Sequence, residues 1–71
     1  MNMPYVHIRV TDEGVTREQK QQFIEQTTAM LKRVLNKPPA STFVVIEEVN
    51  TDNWGVGGET VTTLRKREKT E

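Results

Sequence analysis

From Phe23 to Leu35 the chain carries a stripe, Phe23, Ile24, Thr27, Met30, Leu31, Val34 and Leu35, recurring at three and four residues. That spacing predicts one amphipathic helix with a single covered face. On its N-terminal side, Tyr5 to Val10 alternates, with Val6, Ile8 and Val10 on one face and Tyr5, His7 and Arg9 on the other, as a strand does. On its C-terminal side, Thr42 to Val49 (Thr-Phe-Val-Val-Ile-Glu-Glu-Val) is rich in β-branched and aromatic residues, with a continuous apolar centre that predicts a strand covered on both faces. A strand, a long helix and a strand form a βαβ unit, whose two strands are parallel.

The ends of these elements are marked locally. Thr16-Arg17-Glu18-Gln19 reads as a capping box, which starts the helix at Arg17. Asn36-Lys37-Pro38-Pro39 stops it, because a residue before proline is driven out of the helical region. Glu18, Lys20, Gln21, Glu25, Gln26 and Lys32 fall on the solvated face. Glu47 and Glu48, adjacent in a strand, point to opposite faces and make no carboxylate dyad.

Beyond the turn Asn50 to Asn53, the segment Trp54-Gly55-Val56-Gly57-Gly58-Glu59 reads as a tight hairpin rather than a phosphate cradle. The next residues, Thr60 to Leu64, have strand propensity, which argues against the helix N-terminus that a phosphate loop needs. Arg65 to Glu71 is a charged tail. The expected fold is a small α+β (α/β) domain spanning 1–71: one βαβ unit with a C-terminal β-hairpin, an N-terminal extension at 1–3 and a charged tail at 67–71.

A chain of 71 residues buries a modest core and commonly needs a staple. With no cysteine and a single histidine, neither a disulfide nor a metal cluster serves, so self-association is the expected source of stability. Ten basic and ten acidic residues cancel, which gives no electrostatic footprint for nucleic acid or an anionic membrane. No apolar run is long enough to span a bilayer, and the N-terminus lacks a signal-peptide core; a cytoplasmic protein with a small-molecule or protein partner is expected.

Pro4 stands at the head of the first strand. Inside a chain its nitrogen is an amide, and proline there marks a strand start or edge. At a free N-terminus it is a secondary amine. Reference α-amino groups titrate at roughly 7.7 to 8.0, and an apolar pocket lowers that value by disfavouring the charged form. Such an amine is an effective general base near neutral pH. His7, the single histidine, lies on the polar side of its strand and reads as a solvated or interface residue.

Taken together, the Met3-Pro4-aliphatic start, Glu18-Gln19-Lys20 at the helix start and Trp54-Gly55-Val56-Gly57-Gly58-Glu59 after the second strand resemble the 4-oxalocrotonate tautomerase family, and within it the small DmpI-like tautomerases. The resemblance covers Met3 to about Lys66. It implies a tautomerase-like fold in which two protomers share a four-stranded sheet and three such dimers form a homohexamer. It implies no cofactor and no metal. The implied activity is keto-enol tautomerisation of a small 2-oxo acid by Pro4 acting as base and acid. Trp54 matches an aromatic pocket residue of the family; Tyr5, Phe43 and Arg65 are further substrate-binding candidates.

Two departures stand against that pattern. Where relatives acting on dicarboxylates carry arginines, this chain has Val15 and Phe43; Arg17, which begins the helix, Arg65 and Arg9 are the candidate substitutes, each of which reads first as a surface charge. Ahead of Pro4 stand Met1, Asn2 and Met3; if they are retained, the nitrogen stays an amide and proline chemistry is closed. The alternatives are hydration or dehalogenation by the same proline, and a catalytically silent oligomeric scaffold of the same fold.

Overall fold

In the computed structural model, which describes residues 3–70, Tyr5–Thr11 forms β1, Phe43–Val49 forms β2, and Arg17–Leu35 forms the helix α1 between them. Met1 and Asn2 of the expected extension, and Glu71 of the tail, lie outside the described residues. The two strands pair in parallel from Tyr5 opposite Phe43 to Thr11 opposite Val49, as a helical crossover requires.

Helix α1 begins and ends where its local chemistry dictates. The Gln19 N–H donates to Thr16 Oγ1 at 3.1 Å and the Thr16 N–H donates to Gln19 Oε1 at 2.9 Å, which closes the capping box. At the other end Asn36 takes the left-handed conformation (φ 55°), and its N–H and that of Lys37 donate to the carbonyls of Lys32 (2.9 Å) and Leu31 (3.4 Å). Asparagine tolerates that conformation better than most residues, so it satisfies the orphan carbonyls at low cost. A short 3₁₀ turn, Pro39–Ser41, then leads into β2.

Val6, Ile8, Val10, Val44 and Ile46 are half-buried on the helix side of the sheet. Glu48 shares that side and meets Lys20 Nζ of α1 at 2.9 Å, whereas Glu47 lies on the opposite side, as the alternation predicts. Two expectations are corrected. Lys20 faces the sheet rather than solvent. The second strand is covered on one face only, with Phe43 51% and Val45 44% exposed, because one helix cannot cover both faces of a two-stranded sheet.

The expected hairpin is present: β3 (Gly55–Val56) and β4 (Glu59–Thr60) pair antiparallel around Gly57 and Gly58, whose φ of 62° and 89° suit glycine. The strand expectation for Thr60 to Leu64 is also corrected. A second helix, α2, runs over Val61–Thr70 and takes in much of the charged tail. Thr60 Oγ1 accepts the Thr63 N–H at 3.2 Å and the Trp54 carbonyl accepts the Val61 N–H at 2.8 Å, so two otherwise orphaned donors are met at the helix start. Those bonds outweigh the weak strand preference of valine and threonine. Among the described residues, no helix is long and apolar enough to cross a membrane.

Candidate active site

Pro4 is half-buried and immediately precedes β1. Its carbonyl accepts the Phe43 N–H at 2.9 Å, which pins it to the head of β2. Tyr5 and Phe43 are register partners, so two aromatic side chains, 59% and 51% exposed, flank this end of the sheet on one face. The structure therefore brings Pro4, Tyr5 and Phe43 together.

Trp54 is elsewhere. It follows β2 by a 3₁₀ turn, Thr51–Asn53, and lines a cleft of about 330 Å³ with Arg9, Val49, Asn53 and Gly55. Val49 is the last residue of β2, and β2 runs parallel to β1. A strand of this length covers about 20 Å at ~3.3 Å per residue. Within one chain, Trp54 thus sits a strand's length from Pro4. A larger cleft of about 390 Å³, lined by Val10, Val15, Phe23 and three glutamines, lies at the far end of the strands too.

Arg65, on α2, is also at the far end. Its Nε and Nη2 donate to Glu13 at 2.6 and 3.1 Å, and its Nη1 to Glu68 at 3.1 Å, which ties α2 to the loop after β1. These hydrogen bonds from Arg65, with a further one from the Thr11 hydroxyl at 2.5 Å, hold the Glu13 carboxyl down at about 2. Glu13 in turn raises Arg65. Arg9 is engaged as well: its Nε donates to Glu47 Oε1 at 3.1 Å, the same oxygen that His7 Nε2 approaches at 3.0 Å. The Arg9 contact is the main reason that the Glu47 carboxyl is lowered. This His7-Glu47-Arg9 cluster, with the Tyr5 ring 6.1 Å from the imidazole, is a structural group that sequence reading missed. The parallel register supplies the signal for it, since it places Glu47 opposite Arg9.

Chemically, the near end offers a proline and two apolar rings, and the far end an indole and cations held by carboxylates.

The comparisons with known proteins fit this chain over nearly its whole length. The family model described as "Tautomerase enzyme" matches residues 4–64. A probable tautomerase K2 of Dickeya dadantii is 55% identical over 65 residues, covering 92% of this chain and 97% of that protein. A 2-hydroxymuconate tautomerase of Comamonas testosteroni is 38% identical over 56 residues, covering 79% and 87%. The crystal structure of DmpI from Helicobacter pylori superposes with a TM-score of 0.83 at 46% identity, covering 89% of this chain and 97% of that one. The βαβ-hairpin fold, a family match that begins at Pro4 and relatives named as tautomerases converge: the chain belongs to the tautomerase family and is an isomerase of the 4-oxalocrotonate tautomerase type.

Proposed function

We propose that this protein catalyses a 1,3-proton shift in a small 2-oxo acid, with Pro4 as the general base once the residues before it are removed. The observation that carries this reading is the family match, which begins at Pro4, the residue that heads β1. The amine takes the proton of the substrate's enol hydroxyl as the carbonyl forms. The resulting ammonium returns that proton to the other carbon of the enol double bond, next to the new carbonyl, so nothing is consumed. A low amine pKa keeps the base free at pH 7, and an apolar surround lowers it by desolvation.

The far-end residues enter through a second copy. A neighbour that presents its Trp54 end to Pro4 would close the pocket, with the indole beside the rings of Tyr5 and Phe43. The exposed apolar side chains of the open sheet face favour such an assembly, and a hexamer made of three dimers is the form we propose. The relative from Comamonas testosteroni is named for 2-hydroxymuconate, which makes that enol the natural first substrate to assay.

The test compares protein beginning at Pro4 with protein retaining Met1, Asn2 and Met3, following the loss of enol absorbance. The Pro4-first form should turn over enol substrate with a rate that falls as pH drops through the amine pKa, and the extended form should lose at least about 100-fold, the scale of a positioned general base. Equal rates would overturn the reading. The silent-scaffold alternative draws on one specific observation, the apolar Val15 and Phe43 at the family's arginine positions, and it predicts that neither form is active.

A further inference from the structure

Pro4 chemistry on a 2-oxo acid needs a cation for the substrate's carboxylate. Among the described residues, Arg9, Lys20, Arg65 and Arg67 are held by Glu47, Glu48, Glu13 and Glu59. Arg17, Lys32, Arg33 and Lys66 stand exposed along helices. Lys37 differs from both groups: it is half-buried, and its ammonium has no ion pair among the described residues.

Its backbone is placed by a series of hydrogen bonds. The Lys37 N–H donates to Leu31 at the end of α1. The next carbonyl, that of Pro38, accepts the Ser41 N–H at 3.2 Å, the Ser41 hydroxyl at 3.3 Å and the Thr42 hydroxyl at 3.0 Å. Thr42 leads directly into Phe43, whose N–H is on the Pro4 carbonyl at 2.9 Å. Lys37 is therefore held at the Pro4 end of the strand pair, the end that Arg9 and Arg65 do not occupy.

We propose that Lys37 supplies the cation that holds the substrate's carboxylate beside Pro4, replacing the arginine that Phe43 displaces. This rests on Pro4 being the base. A cation with no counterion of its own can take the carboxylate without giving up an existing ion pair, which Arg9, Lys20, Arg65 and Arg67 would each have to do.

The test uses the Pro4-first protein, phenylenolpyruvate and its methyl ester. K37Q should raise KM for the acid by about 10- to 100-fold, the worth of one charge-assisted hydrogen bond, while leaving kcat nearly unchanged. The ester, which has no carboxylate, should be processed equally by wild type and K37Q. K37R should restore most of the acid's KM. Lys37 also sits where a cation favours the helix C-terminus, and a purely structural role there would impair acid and ester alike. Equal effects on both substrates, or none on either, overturn the assignment of Lys37. A Pro4-first wild type inactive on both substrates overturns the Pro4 reading instead, and the Lys37 proposal falls with it.

Discussion

At the scale of single residues, the site is defined by which charges are already spent. Arg65, a candidate for substrate binding by sequence, is engaged by Glu13 and Glu68 and fastens α2 to the loop after β1. That engagement carries a pH signature. Because the Glu13 carboxyl is lowered from 4.5 to about 2 in the folded chain, its contribution is fully present above about 4.5 and is lost as pH falls through about 2. Melting curves of wild type and Glu13→Gln should therefore be furthest apart at pH 5 to 7 and converge toward pH 2. Glu13 is about one-third exposed, so solvent screening keeps the separation small. Curves equally separated at every pH would contradict the assignment. Sequence alone did not reveal this pair, because its partners are far apart in the chain and meet only once α2 forms.

Secondary-structure elements were legible where their signals are local. Thr16 and Gln19 announce the start of α1 within four residues, and both reciprocal bonds are present. Thr16→Ala should cost about 1 kcal/mol, read as a lower denaturant midpoint with an unchanged slope. An unchanged midpoint would mean that α1 is held by its packing alone. The same kind of signal was missed at Thr60, where β-branched propensity pointed to a strand while the Thr60 hydroxyl capped the Thr63 N–H. Lys20, a cation, reads as solvent-facing from sequence, although it stands three and four residues before Phe23 and Ile24 of the stripe. A carboxylate on the helix side of the sheet, Glu48, makes the inward position acceptable.

At the scale of the whole molecule the chain is extended and thinly packed. Its radius of gyration is 16.1 Å, against about 11 Å for a compact domain of this length, and it extends 49 × 24 × 17 Å. Only Val61 among the described residues is buried, while Tyr5, Phe43 and Val45 line an open sheet face. These facts agree with the self-association expected from length and the absence of cysteine. The pocket expected from sequence already draws on adjacent subunits, and the separation that the parallel strands impose, with Pro4 and Trp54 at opposite ends of a protomer, is in keeping with that proposal. The account therefore requires two copies for one site. The direct measurement is complementation between Pro4→Ala and Trp54→Ala proteins, each prepared without the residues before position 4, unfolded together, refolded as a mixture and assayed on enol substrate. The account predicts activity well above the average of the two separately refolded variants, since the intact proline of one chain meets the intact tryptophan of the other. Activity equal to that average, with mixed oligomers demonstrably formed, would place both residues' work within a single chain and contradict it.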